Sequence, residues 1–229
     1  MPVRSVGTLL RSVAVAVAAA VVLATATGAM ASHSAQPKES PFDELLQLPQ
    51  WKQVARQLPR EAGLVRACLK GRCNSAAVLR LAAMVEHGSS PDRMVQLRRV
   101  HKAVNRQAYA EDRDQFGVED LWQSPLVFAA RGGDCEDFAI AKYFVLRLLG
   151  VAPSDLRIVV LTGQDRPEVH AVLLARAAGE WHVLDNREEE PRPLRSYRGW
   201  ILQYGLTEAA GFRYSASGGH DPIRAPAQR

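Results

Sequence analysis

Through the first half of the chain, apolar residues recur at the three- and four-residue spacing of an amphipathic helix. After Gly150 the spacing shortens to the alternation of strands. Phe42 to Leu58 places Leu45, Leu46, Leu48, Trp51, Val54 and Leu58 roughly on one face, with Pro49 as a break or a first-turn residue. Ser75 to Glu86 repeats the pattern with Val78, Leu79, Leu81 and Met84, and Asn74 or Ser75 can cap its start. His87-Gly88-Ser89-Ser90-Pro91 ends that helix, and Asp92 to Ala110 predicts a third with Met94, Leu97, Val100 and Val104 inward. Glu111 to Gln123 is irregular and acidic. Ser124-Pro125-Leu126 opens a short helix to Ala130, and Phe138 to Leu149 is a near-continuous apolar run that predicts a buried helix.

Strands follow. Leu156 to Leu161, Val169 to Ala175 and Glu180 to Asp185 read as three, the last two joined by Arg176-Ala177-Ala178-Gly179. The segment from Pro191 to Tyr204 predicts a further short helix or strand, and Phe212 onward a frayed end. Helices first and a meander of strands after them define an α+β class. The predicted organisation is a signal peptide over 1–31, a disordered polar lead-in over 32–41, one domain over 42–212 and a flexible tail over 213–229.

The N-terminus carries the marks of export. Arg4 and Arg11 flank an apolar run from Val13 to Ala24, and Ala29-Met30-Ala31 is an A-x-A cleavage site. The run is shorter than a membrane-spanning helix needs. Cleavage would remove two arginines, lowering the net charge from +5 to 5 − 2 = +3. With no run of Lys or Arg longer than a pair, the basic excess predicts solvated surface and no nucleic-acid partner. Export to an oxidising compartment predicts a local disulfide between Cys68 and Cys73 across Gly71. Cys135 is then the unpaired cysteine.

Cys135 follows Arg131-Gly132-Gly133-Asp134 and opens the buried run. A cysteine at a helix start is a candidate nucleophile, because the N-terminal dipole favours the thiolate. Of the six histidines, strand alternation selects His170 as its base. If Ala175 pairs with Glu180, His170 lies opposite Asp185 on one face, while His182 points to the other. The acids Asp134 and Glu136 work against the thiol, since neighbouring negative charge raises its pKa. A Ca2+ ion held by both would cancel that penalty, with further oxygens from backbone, water and an acid within 111–120. The backbone N–H of Cys135 is one expected oxyanion donor, and Trp122 or Gln123 could supply the second.

The string Gly132-Gly-Asp-Cys-Glu-Asp-Phe-Ala-Ile-Ala-Lys-Tyr-Phe144, with Leu156-Arg-Ile-Val-Val160, His170-Ala-Val-Leu-Leu174 and Leu184-Asp-Asn186, resembles the bacterial transglutaminase-like cysteine proteinases. The resemblance runs from about Trp51 to Tyr204 and includes Val104-Asn105 and Asp120 to Pro125. It implies a papain-like, transglutaminase-type core, with Cys135 as nucleophile, His170 as base and then acid, and Asp185 as orienting carboxylate. It implies calcium on Asp134 and Glu136. It further implies a periplasmic endopeptidase that cuts a large surface adhesin near its N-terminus, after a di-alanine-type site, and so disperses a biofilm. The partner so implied is an inner-membrane receptor that senses cyclic di-GMP and sequesters the protease. Two other readings use the same residues: an acyl transferase (transglutaminase or deamidase), and a non-catalytic calcium-binding interaction module.

Overall fold

The computed structural model describes residues 38–215. The expected signal peptide and most of the expected tail lie outside them. Six helices precede the main run of strands: α1 (Pro49–Cys68), α2 (Ala76–Gly88), α3 (Arg93–Asn105), α4 (Asp112–Phe116), α5 (Pro125–Arg131) and α6 (Cys135–Leu148). Pro49 sits in the first turn of α1, where its missing N–H costs nothing. Ser75 and Asp92 cap α2 and α3 by accepting from the N–H of Val78 and Val95. The third helix stops at Asn105, short of the Ala110 predicted, and Leu79 faces solvent instead of the core. A disulfide joins Cys68, the last residue of α1, to Cys73 across a turn in which Gly71 has φ +82°.

The strands are β1 (Lys38–Pro41), β2 (Leu156–Gly163), β3 (Val169–Ala177), β4 (Glu180–Leu184), β5 (Arg192–Pro193), β6 (Trp200–Leu206) and β7 (Gly211–Ser215). They form one antiparallel sheet in the order β1-β7-β6-β2-β3-β4-β5. Two expectations are corrected here. Residues 38–41, assigned to a disordered lead-in, form β1; residues 213–215, assigned to the tail, belong to β7. The two segments pair with each other, Lys38 opposite Ser215. Each is polar enough to read as coil, and only the partner strand satisfies its backbone.

One sheet face packs on the helices. Ile158, Leu173, Ala175 and Leu184 join a core with Trp51, Leu97, Val100, Phe128, Ile140 and Phe144. The alternate residues Val159, Leu161, Val172, Leu174 and Val183 form a second cluster with Trp181, Tyr197 and Tyr214. Both faces are thus covered, which explains the nearly unbroken apolar run of β2.

Candidate active site

The loop before α6 is built by two glycines. Gly132 has φ +79°, and a Cβ there would sit 2.1 Å from the carbonyl oxygen of Ala108. A Cβ on Gly133 would sit 2.1 Å from Asp137 Oδ2. The close approach is needed because the loop pairs with the chain after α3: Gly133 N–H donates to Ala108 O, and Ala110 N–H to Gly133 O. Gly132→Ala is expected to cost about 2 kcal/mol or more, since backbone strain and a backbone clash coincide. A thermal melt that moves by less than a degree would refute this account of the loop.

Cys135 opens α6, with Asp134 in the cap position. It is the free cysteine of the chain. Its thiol donates to Glu136 Oε2 at 3.2 Å. Burial pushes its pKa up, and the Glu136 carboxylate pushes it further. The backbone of Ala171, on β3, lies within hydrogen-bonding reach of the sulfur and works the other way.

His170, the neighbour of Ala171, is fully buried and bonded through Nε2 to Asp185 Oδ1 at 2.7 Å. Its Nδ1 is buried with no partner. The Tyr197 hydroxyl donates to Asp185 Oδ2 at 2.6 Å, and the Arg187 N–H to Oδ1 at 3.0 Å. Burial would raise the Asp185 pKa, but the bonds and charge of His170, with those from Tyr197 and Arg187, bring it down to about 2. Trp200 packs on the imidazole with ring centroids 5.2 Å apart, and Tyr197 stacks on Trp200. Sequence reasoning missed both aromatics, because nothing in their local pattern links them to a histidine some thirty residues earlier.

The His–Asp pairing arises by a different register from the one expected. The turn is two residues, Ala178-Gly179, with φ of 50° and 77°, so Ala177 pairs with Glu180 and Ala175 with His182. Positive φ at both central residues matches the twist of the flanking strands. Continued past Leu184, this register sets Asp185 level with Val172, two residues from His170. The slip is even, so the shared face survives. His182 instead pairs with core-facing Ala175 and bonds the carbonyl of Glu180.

Five acids gather beside Cys135. Asp112, Asp120 and Glu136 offer carboxylate oxygens within 4.8 Å of one another, and so do Asp112, Asp134 and Asp137. Burial and then the Glu136 charge raise the Asp134 pKa; burial and then Asp137 raise that of Glu136. Burial lifts Asp137 to about 8 despite the N–H of Gln123. Asp137 is already employed: Oδ1 accepts from Gln123 N–H at 2.7 Å, and Oδ2 from the Gln123 amide at 2.5 Å and Asp134 N–H at 3.3 Å. Asp112 Oδ1 and Asp134 Oδ1, by contrast, are buried with no partner. Crowded carboxylates with orphaned oxygens fit a hard divalent cation. The sequence pointed to Asp134 and Glu136 together with an acid within 111–120; in the fold the two fall in separate groups that share Asp112, Glu136 with Asp120 and Asp134 with Asp137. Of the two candidates for the second oxyanion donor, the Trp122 indole N–H is taken by Asp120 and its ring packs edge-on against Trp51. Gln123 spends its backbone N–H and one amide contact on Asp137.

A helix-opening cysteine packed against an antiparallel sheet that carries a His–Asp pair defines a papain-like, transglutaminase-type core. The chain belongs to the bacterial transglutaminase-like cysteine proteinase family, whose model matches residues 62–199, and it is accordingly a member of a cysteine protease family. Among solved structures, calcium-bound LapG of Legionella pneumophila is 24% identical, with a TM-score of 0.56 over 72% of this chain and 93% of that one. A second LapG structure from the same organism is 25% identical, with a TM-score of 0.54 over 69% of this chain and 87% of that one. An EGTA-treated form of that protein gives the same identity and TM-score. The comparison with curated proteins returns no match.

Proposed function

We propose that the chain is a calcium-dependent periplasmic cysteine endopeptidase that cuts a large cell-surface adhesin near its N-terminus and so controls biofilm attachment. One observation carries the reading. His170 Nε2 is committed to Asp185, its Nδ1 is buried and unpartnered, and Cys135 opens α6, the helix packed against the strand β3 that carries His170.

In this reading Cys135 loses its proton to His170 Nδ1, and the sulfur adds to the scissile carbonyl carbon. The oxyanion is met by the N–H of Cys135 and by Gln123, whose amide nitrogen has a second hydrogen. As the C–N bond breaks, His170 returns the proton to the departing amine, leaving a thioester on Cys135. Water then adds, giving its proton to His170, and the thioester breaks to a carboxylic acid and the thiol. Asp185 holds the ring and stabilises the imidazolium throughout. Asp134, Glu136 and Asp112, with Asp120 at the exposed rim, would hold Ca2+, which supplies positive charge beside the sulfur. The calcium-bound and EGTA-treated forms of LapG support this assignment.

Export through cleavage near Ala31, and sequestration by an inner-membrane receptor that senses cyclic di-GMP, complete the proposal. The test is incubation of the purified chain with calcium and an N-terminal adhesin fragment containing a di-alanine segment, with and without a labelled primary amine. Two fragments, one ending in a free carboxylate, are expected under both conditions. An intact fragment that has gained the amine, or no product at all, would overturn the proposal.

A further inference from the structure

Lys142 is fully buried in the middle of α6, a helix whose residues from Glu136 to Leu146 are all buried. A lysine there is anomalous. Burying an ammonium is costly unless it is well paired, and an apolar side chain of similar length would fill the same volume without that cost. Burial lowers its pKa and the Asp185 charge opposes this, leaving it at about 7. The ammonium donates to one acceptor, the carbonyl oxygen of Leu184, at 3.0 Å. Its other neighbour is the face of Phe138, with Nζ 5.8 Å from the ring centroid.

Leu184 is the last residue of β4, and Asp185 follows it outside the ladder. The segment beyond has no strand partner until Arg192. Its backbone is held from below by α3 instead. His101 Nε2 lies 2.9 Å from the carbonyl oxygen of Glu188, and the Asn105 amide donates to the same oxygen at 3.2 Å and to Asp185 O at 3.4 Å. Of these ties, that of Lys142 falls on Leu184, the residue before the carboxylate.

We propose that Lys142 is a positioning residue: from inside α6 its ammonium grips the Leu184 carbonyl and sets the end of β4 so that Asp185 meets His170 Nε2. The proposal rests on the reading of Cys135, His170 and Asp185 as the reacting set, and it adds the strut that aligns them. The lysine touches no reacting atom. Its removal should therefore lower turnover while leaving substrate binding intact.

The experiment compares Lys142→Met, Lys142→Gln and Asn105→Ala with the parent chain in saturating calcium. Two quantities are read: kcat and KM on the adhesin fragment, and the pH dependence of Cys135 alkylation by iodoacetamide. Lys142→Met is expected to melt at or above the parent temperature, lose at least tenfold in kcat, hold KM within twofold, and alkylate more slowly near neutral pH. Lys142→Gln, which keeps a donor, should recover most of the loss. Asn105→Ala should show a smaller loss of the same kind, and it keeps the proposal testable if Lys142→Met fails to fold. A kcat within twofold of the parent in Lys142→Met overturns the strut, as does equal impairment of Met and Gln variants. Should Lys142→Met not fold, an unchanged kcat in Asn105→Ala overturns it. If the parent itself shows only an ordinary thiol titration and no cleavage, the proteolytic reading fails and not the strut alone, so the two failures are told apart.

Discussion

Cys135→Ala is expected to reduce cleavage of the adhesin fragment by at least about ten-thousandfold, while the fragment still binds and the fold still melts near the parent temperature. The size follows from the chemistry. In the proposed mechanism no thioester forms without the sulfur, and water would have to attack directly, without the nucleophile assigned to activation by His170. Oxyanion donors and binding alone retain only a small residual rate. The structural effect should be slight, because the thiol makes one side-chain hydrogen bond, to Glu136, and opens α6 instead of filling its core. The measurement is a time course of fragment cleavage beside a pull-down with the inactive variant. Undiminished cleavage would remove Cys135 from the reaction and the endopeptidase reading with it.

Chelation of calcium should be the second large effect, and it has a direction in pH. Asp137 titrates at about 8 in the fold, against an ordinary value near 4, and Asp134 and Glu136 are shifted the same way. Such carboxyls bind more protons folded than unfolded between those two values. Although His101, held down to about 4 by burial, works the other way below its ordinary value, these carboxyls taken by themselves make the ion-free protein lose stability as pH rises from about 4 to about 8. A cation that binds the ionised cluster reverses this, so the gain in melting temperature on adding calcium should grow from pH 5 to pH 8. At a hundredfold excess over Kd the gain corresponds to about 2.7 kcal/mol. The same charge should lower the pH at which Cys135 alkylates, and EGTA should raise it again and stop cleavage. Asp134→Asn should blunt all three responses, because it removes a carboxylate whose Oδ1 is buried without a partner. Melting curves at pH 8 that coincide with and without EGTA, together with unchanged alkylation, would refute a metal in this cluster.

A single chemical theme connects the two predictions. The thiol is held in an acidic, buried loop that by itself disfavours the thiolate, while His170 on β3 is bonded to an aspartate held well below the usual carboxylate range. The loop beside the sulfur and the loop bearing Asp185 are both irregular segments pinned from outside, one by the pairing of Gly133 with Ala108 and Ala110, the other by Lys142, His101 and Asn105. Each tie is a polar group reaching from a rigid helix or its flank to a backbone carbonyl or N–H at or beyond the end of a regular element.

Local rules set much of this protein. The apolar spacing of α1, α2 and α6, the caps at Ser75 and Asp92, the disulfide across Gly71, and the Gly-Gly-Asp-Cys start of α6 are consequences of neighbouring residues. So is the choice of His170 over His182, because strand parity tolerates a two-residue error in the turn. What only the tertiary structure decided depends on segments far apart in the chain. Polar residues 38–41 become a strand because Gly211–Ser215 lies alongside. Asp112 reaches the acids of α6, Tyr197 and Trp200 close over His170 and Asp185, and Lys142 finds Leu184 O across the helix–sheet interface. Periodicity within a segment reports which face is buried, and it carries no information about which distant carbonyl, carboxylate or ring that face will meet.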